Sequence, residues 1–124
     1  MSFHFQGIDH VQVAAPKDCE GKARDFYGRV LRLEEIPKPE NLIGRGGCWF
    51  QCGHQEIHIG VEENFVPAKK AHPGLIVKNI HVLKKILLQE NIKIQEEPPI
   101  EGRTRLHVYD PFGNRLEFLE YINE

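Results

Sequence analysis

One order of secondary-structure elements occurs twice along this chain, and that repeat constrains the fold more than any other feature. The segment IDHVQVAA (8–15) alternates apolar and polar residues like a strand, and a helical pattern and three further strand patterns follow it. After the polar linker EENFVPAKKA (62–71), the same order begins again. We therefore predict an α+β fold in which two tandem βαβββ modules, about 7–61 and 72–121 of one domain spanning 1–124, form an open half-barrel cavity.

Periodicity and turn residues predict the individual elements. The first module is predicted to contain a helix in PKDCEGKARDFYGRVLRL, a short strand in LEEIP, a loop over 41–47, and a hairpin of GCWFQCG and QEIHIGV closed around Gly53 and His54. The second module is predicted to contain a strand in HPGLIV, a helix in NIHVLKKILLQEN capped by Asn79, strands in IKIQEEPP and TRLHVYD, a DPFGN turn, and a last strand in RLEFLEYI.

Charge and composition exclude several kinds of partner. Sixteen Lys and Arg against 18 Asp and Glu leave a net charge of −2, and no face concentrates basic residues, so we expect neither nucleic acid nor membrane as a partner. The start MSFHFQGIDH lacks the pattern of a signal peptide, and we expect a cytoplasmic protein. Cys19, Cys48 and Cys52 are odd in number and are predicted to be free thiols rather than a disulfide or metal site.

Four side chains that can bind a metal occupy equivalent places in the two modules. His10 lies on the first strand of the first module and His72 opens the first strand of the second, while His58 and Glu117 lie on the last strands. Because residues two apart on a strand share a face, each of the four points away from the apolar side that packs on the helices. All four are therefore expected on the concave side of the sheets.

Several motifs together resemble the vicinal oxygen chelate superfamily, and within it glyoxalase I, bleomycin-resistance and dioxygenase-like proteins. They are the paired βαβββ order, IDHVQVA, ARDFYGRVL, HPGLIV and DPFGNRLEFLE, of which the last is the most specific. The resemblance covers roughly residues 7–121 and implies that one divalent metal ion binds at His10, His58, His72 and Glu117. The sequence departs from glyoxalase I-like enzymes at His58, where they usually carry a carboxylate. Glu56 shares the face of His58 and is the alternative ligand.

The residue types of this set suit a range of metals and suggest roles for individual side chains. Three imidazoles and one carboxylate can bind zinc, nickel, manganese, iron or cobalt, and the sequence does not select among them. Glu117 is predicted to double as the proton acceptor, since it can leave the metal and carry a proton. His107, in the strand TRLHVYD, is predicted to orient a substrate oxygen or to shuttle protons.

The predicted function is that of a glyoxalase-like, metal-dependent isomerase or lyase acting on a small α-oxygenated substrate, with a thiol adduct as one candidate. Three alternatives stay open: an extradiol-type iron dioxygenase using His10, His72 and Glu117, a thiol transferase that confers antibiotic resistance, and a metal-free protein that sequesters a drug. Because an open half-barrel exposes sheet edges, we expect a homodimer, with the modules pairing within one chain or between two.

Overall fold

The computed structural model describes residues 1–122 and contains two open β-sheets, each accompanied by a helix. The first module comprises β1 (His10–Ala15), α1 (Glu20–Ala23), a π-helical segment (Arg24–Val30), β2 (Glu34–Ile36), a 3₁₀ helix (Glu40–Arg45), β3 (Cys48–Cys52) and β4 (Gln55–Val61). The second comprises β5 (Gly74–Ile76), α2 (Ile80–Gln89), β6 (Arg103–Tyr109) and β7 (Arg115–Tyr121). The predicted α+β class is confirmed. Within the described range, no helix is long and apolar enough to cross a membrane.

Both sheets place the first strand of their module parallel to its last strand. The strand order is β1-β4-β3-β2 in the first sheet and β5-β7-β6 in the second. In the first sheet His10 lies opposite Glu56, and in the second Gly74 lies opposite Glu117. The repeat predicted from the sequence therefore extends to the pairing of the strands that carry the candidate ligands.

The second sheet has three strands rather than four. The predicted strand over 92–99 is reduced to a single bridge, in which Gln95 and His107 exchange backbone N–H···O bonds of 2.7 and 3.3 Å. Pro98 and Pro99 have no N–H group to donate, so the ladder cannot continue along this segment.

Each helix departs from the prediction in one respect. After α1 the chain widens into π-helical turns, and the Leu31 N–H donates to the Phe26 carbonyl, five residues back. At the start of α2, Asn79 adopts a left-handed conformation and its side chain makes no cap, so this part of the prediction is wrong. The Glu120 carboxylate on β7 instead accepts the backbone N–H groups of Asn79 and Ile80, at 3.0 and 2.9 Å.

The core lies on one face of each sheet, against the helices. The core side is made of aliphatic and aromatic residues that include Val13, Ala15, Ile57, Ile59, Leu106, Val108, Leu116 and Phe118. Burial does not alternate strictly along the strands, because His58 and His107 are buried as well. The π-helical segment contributes Phe26, Tyr27 and Val30 to the same core. The opposite faces of the sheets therefore carry the polar candidates.

The DPFGN turn joins the second module to the first. The buried Asp110 carboxylate accepts hydrogen bonds from the backbone N–H groups of Phe112 and Asn114, from the Asn114 side-chain amide, and from the Tyr27 hydroxyl at 2.6 Å. The Asn114 amide also donates to the Ala14 carbonyl on β1 at 2.7 Å. Burial, reinforced by the Asp110 charge, holds the pKa of Tyr27 well above its ordinary value, so the hydroxyl stays a donor.

Candidate metal centre

Three potential metal ligands meet on the polar face of the second sheet. Glu117 lies in the middle of β7, with His107 directly opposite on β6 and His72 just before β5. One donor atom from each of these residues lies within 4.8 Å of the others. We call this group of His72, His107 and Glu117 the donor cluster; within residues 1–122 it is the group of this kind that the structure brings together.

A single carboxylate oxygen is the centre of the donor cluster. Glu117 Oε1 lies 3.1 Å from His72 Nε2 and 3.4 Å from His107 Nε2. The other oxygen, Oε2, lies 3.6 Å from Arg105 Nη1. Arg105 in turn donates through Nη2 to the Pro98 carbonyl at 2.7 Å, which fixes the guanidinium beside Oε2. Glu117 therefore has one oxygen paired with the guanidinium of Arg105 and one oxygen facing two imidazoles.

The two histidines of the donor cluster differ in environment. His72 is exposed, and its Nδ1 lies 2.9 Å from the Lys70 carbonyl. His107 is 1% exposed, and neither of its ring nitrogens has a hydrogen-bond partner among the described residues. Burial lowers the pKa of His107, although the nearby Glu117 charge opposes this shift. His107 is thus kept in the neutral form, the form in which an imidazole binds a metal.

The first module places its candidate residues in a stack of rings. His58 packs face to face between His10, at a centroid distance of 4.2 Å, and Trp49, at 3.7 Å. His58 Nε2 bonds to Glu56 at 2.9 Å, and His10 Nδ1 bonds to Asp9 at 2.9 Å. Glu56, the alternative ligand, is therefore already hydrogen-bonded to His58.

The structure thus brings together half of the predicted ligand set. His72 and Glu117 lie side by side, whereas His10 and His58 adjoin each other and do not belong to the donor cluster. His107, which the sequence predicts to have a catalytic role, is the third member of the donor cluster, a position that strand alternation alone does not indicate. Register could have found it: counting back from the DPFGN turn pairs Tyr109 with Arg115 and His107 with Glu117.

The cysteines take no part in a metal site. All three are free, as predicted, and Cys19 and Cys48 are buried. Burial raises the pKa of Cys48 to about 12, so the thiolate that a metal requires is disfavoured.

A cleft of about 1120 Å³ opens between the edge strands of the two sheets. Its walls are mostly apolar, with Val11 and Val13 on one side and Leu75 and Ile76 on the other. His72 and Arg115 lie in the lining, whereas Glu117 and His107 do not. The cleft therefore reaches the donor cluster at its exposed member, His72.

No protein-family model matches the sequence, and no curated protein matches it either. The solved structures that match this fold are members of the vicinal oxygen chelate superfamily. A Bacillus anthracis protein described as a glyoxalase family member is 55% identical, over 98% of this chain and 99% of that one, with a TM-score of 0.94. The chain belongs to the glyoxalase family.

More distant structures share the fold. A lactoylglutathione lyase from Agrobacterium tumefaciens is 19% identical over 92% of each chain, with a TM-score of 0.72. The fosfomycin resistance protein FosX from Listeria monocytogenes is 14% identical over 98% of this chain and 95% of that one, with a TM-score of 0.71. At these identities the likeness concerns the architecture alone.

Proposed function

We propose that this protein is a metal-dependent isomerase or lyase of the glyoxalase type, acting on a small substrate with two adjacent oxygens. The observation that carries the proposal is the convergence of His72 and His107 on one oxygen of Glu117. An arrangement of two imidazoles and one carboxylate is a recurrent binding set for divalent transition metals.

The donor cluster fits a metal on two grounds. The buried imidazole of His107 has unsatisfied ring nitrogens, and a metal bond would satisfy one of them. The two imidazoles also face the same carboxylate oxygen, so a cation could bind all three donor atoms at once. A bound divalent ion would supply positive charge beside the substrate oxygens and stabilise the negative charge that develops when a proton is removed.

The residues of the chain have separate roles in this proposal. Glu117 accepts the proton from the substrate carbon next to the oxygens, because it is the carboxylate at the centre of the cluster. Arg105 holds the second oxygen of Glu117 and fixes the direction in which the carboxylate faces. His72 lies where the cleft meets the cluster and positions the substrate at its entrance.

His10 and His58 remain proposed ligands, and their participation requires another arrangement of modules. In one chain they form a stack apart from the donor cluster. A second copy of the chain could bring its own His10 and His58 to this cluster, and by symmetry the first copy would do the same. We therefore propose a C₂ homodimer with a site shared between copies.

One observation favours a second candidate, a non-haem iron dioxygenase. Two histidines and one carboxylate are the ligand set of that class, in which the remaining positions on the metal hold oxygen and substrate. The donor cluster has this composition.

A substrate screen on metal-loaded protein tests these candidates. The protein is assayed with hemithioacetals of methylglyoxal and several low-molecular-weight thiols, with catechols under oxygen after Fe²⁺ loading, and with fosfomycin and the same thiols. Turnover of a hemithioacetal supports the isomerase, and ring cleavage of a catechol supports the dioxygenase. Thiol addition to fosfomycin would contradict both candidates and indicate a thiol transferase instead. Metal-loaded protein that is inactive in all three arms contradicts the proposal.

A further inference from the structure

We propose that residues 1–8, which we call the arm, bind in the cleft of a second copy of the chain. Each protomer of a C₂ dimer then closes the cleft of the other, since the contact is reciprocal. The inference rests on the shared-site homodimer of the proposed function and names the segment that joins its two copies.

The arm exposes large apolar side chains. Phe3 and Phe5 are 81 and 91% exposed, and Ile8 is exposed as well. The two phenyl rings lie edge to face with their centroids 5.7 Å apart, and the chain forms no helix or strand before β1. The arm, MSFHFQGI, contains no Asp, Glu, Lys or Arg. Because clustered apolar surface on a folded protein commonly marks a contact with a partner, the arm is suited to an apolar groove.

The cleft offers such a groove. It lies between β1 and β5, each of which is an edge strand of its sheet. Its lining includes Val66 and Ile76, whose large apolar side chains are exposed. Its volume of about 1120 Å³ exceeds the range of about 300–1000 Å³ that is typical of small-molecule pockets. The cleft therefore has room for several large side chains besides a small substrate.

The arm of the same chain does not fill this cleft. Gly7 and Ile8 belong to the lining, whereas Phe3 and Phe5 do not. Gly7 has a φ of +134°, a conformation that other residues rarely adopt and that permits a turn between the arm and β1. The two rings therefore lie outside the cleft that their own chain borders.

Chain connectivity links the arm of one copy to the cleft of the other. In the proposed dimer the partner's His10 meets the donor cluster, and His72 of that cluster lines the cleft. Phe5 precedes His10 by five residues, and an extended chain spans at most about 18 Å over that length. A dimer that shares the site in this way therefore brings the partner's arm to the cleft.

A native thiol makes the contact measurable. Cys52 lines the cleft and is partly exposed, whereas Cys19 and Cys48 are buried. Oxidation of Phe5→Cys or Phe3→Cys with diamide should join the introduced thiol to Cys52 of the partner subunit. The product has twice the chain mass on a denaturing, non-reducing gel, and peptide mapping identifies the pair.

Two controls accompany the cross-link. Adding Cys52→Ser to either variant should abolish the product that contains this cysteine. Val82→Cys lies at an exposed apolar position of α2 that does not line the cleft, and its thiol should not join Cys52. A disulfide requires Cα atoms within about 7 Å, so testing both Phe3 and Phe5 covers an unfavourable distance at one of them.

Assembly gives a second test that needs no cross-link. In sedimentation equilibrium, Phe3→Ser/Phe5→Ser should raise the Kd of the dimer at least about a hundredfold, because each dimer loses four buried phenyl rings. Val82→Ser/Leu88→Ser replaces two exposed apolar residues of α2 and should dimerise as the parent does.

The outcomes separate the arm from the dimer and from the reaction. A disulfide to Cys52 within one protomer, no disulfide at either position, or an unchanged Kd in Phe3→Ser/Phe5→Ser overturns the inference and leaves the proposed function standing. A parent protein that stays monomeric contradicts both the inference and the shared site, whereas the substrate screen tests the reaction independently.

Discussion

The two modules share a strand order, yet their polar faces carry different chemistry. In the first module His10 and His58 each have a carboxylate of their own, Asp9 and Glu56, and His58 is stacked between His10 and Trp49. In the second module two histidines share one oxygen of Glu117. Equivalent positions in a repeated fold can thus form either an aromatic platform or a site for a cation, depending on how many carboxylates accompany the imidazoles.

The largest expected effect is on turnover, and it distinguishes the carboxylate of the donor cluster from another carboxylate on the same strand. We expect Glu117→Gln to lower turnover by about 10²–10⁴ at equal metal occupancy, because general-base catalysis is typically worth that much. The measurement is steady-state kinetics on the substrate found by the screen. Glu120→Gln, three residues along β7, is the control and should retain activity. Turnover of Glu117→Gln equal to that of the parent would exclude this carboxylate as the base.

The next largest effect is on stability, and it compares the DPFGN turn of the second module with the hairpin turn of the first. Asp110→Ala should lower the free energy of unfolding by about 3 kcal/mol, since it leaves the buried donors of Tyr27 and Asn114 without their acceptor. Gln51→Ala removes only exposed hydrogen bonds at the turn of the first module and should change stability by less than about 0.5 kcal/mol. Urea unfolding of both variants measures the difference. Equal midpoints would show that the DPFGN turn contributes no more than its counterpart.

A smaller effect is expected at the ring stack. Trp49→Leu removes the face-to-face contact with His58 and should cost about 1 kcal/mol, the typical worth of an aromatic pair. Urea unfolding of the variant measures this loss. Tyr109→Leu, at an exposed aromatic on β6, is the matched control. A loss of stability in Tyr109→Leu as large as that in Trp49→Leu would mean that the face-to-face contact adds nothing.

The smallest effect concerns acid stability. Hydrogen bonds from the backbone N–H groups of Ile80 and Asn79 lower the pKa of Glu120 below its ordinary value of 4.5. Its stabilising contribution is therefore complete above that value and is lost as the pH falls through the lower, folded-state pKa. Glu120→Gln should show a shallower loss of stability on the acid side, measured by thermal unfolding from pH 7 to pH 3. Glu101→Gln, at an exposed position, should keep the slope of the parent.

Much of the architecture could be predicted because strand alternation and the repeat are local properties of the sequence. The alternation of Ile57, His58 and Ile59 placed the histidine on the face opposite the isoleucines, where it is nevertheless buried between His10 and Trp49. One failure involves a partner distant in sequence. Glu120 replaces the Asn79 side chain at the start of α2, and periodicity within the helix cannot reveal that contact. The strand expected over 92–99 fails for a local reason, since Pro98 and Pro99 have no N–H group to donate.

The sequence predicted the residue types of the candidate site better than it predicted which of those residues lie together. His72 and Glu117 meet because β5 and β7 pair in parallel, as the module repeat predicts. His107 joins them through the hairpin register, which the sequence contains but which was not used. The pairing of His10 with His58 follows from the neighbouring positions of β1 and β4. The distance between the donor cluster and the His10–His58 pair depends on how one module packs against another, and strand patterns do not determine that packing.

The hydrogen bonds of the DPFGN turn also bear on how the chain reaches its native state. The bond from the Tyr27 hydroxyl to Asp110 joins residues 83 apart, and the bond from Asn114 to the Ala14 carbonyl joins residues 100 apart. Contacts of such sequence separation must overcome loop-closure entropy before they contribute. During synthesis, the Ala14 carbonyl and the Tyr27 hydroxyl therefore lack these partners until the DPFGN turn, which follows β6, has left the ribosome. A nascent chain that stalls before Asp110 would present an unfinished core to chaperones and proteases.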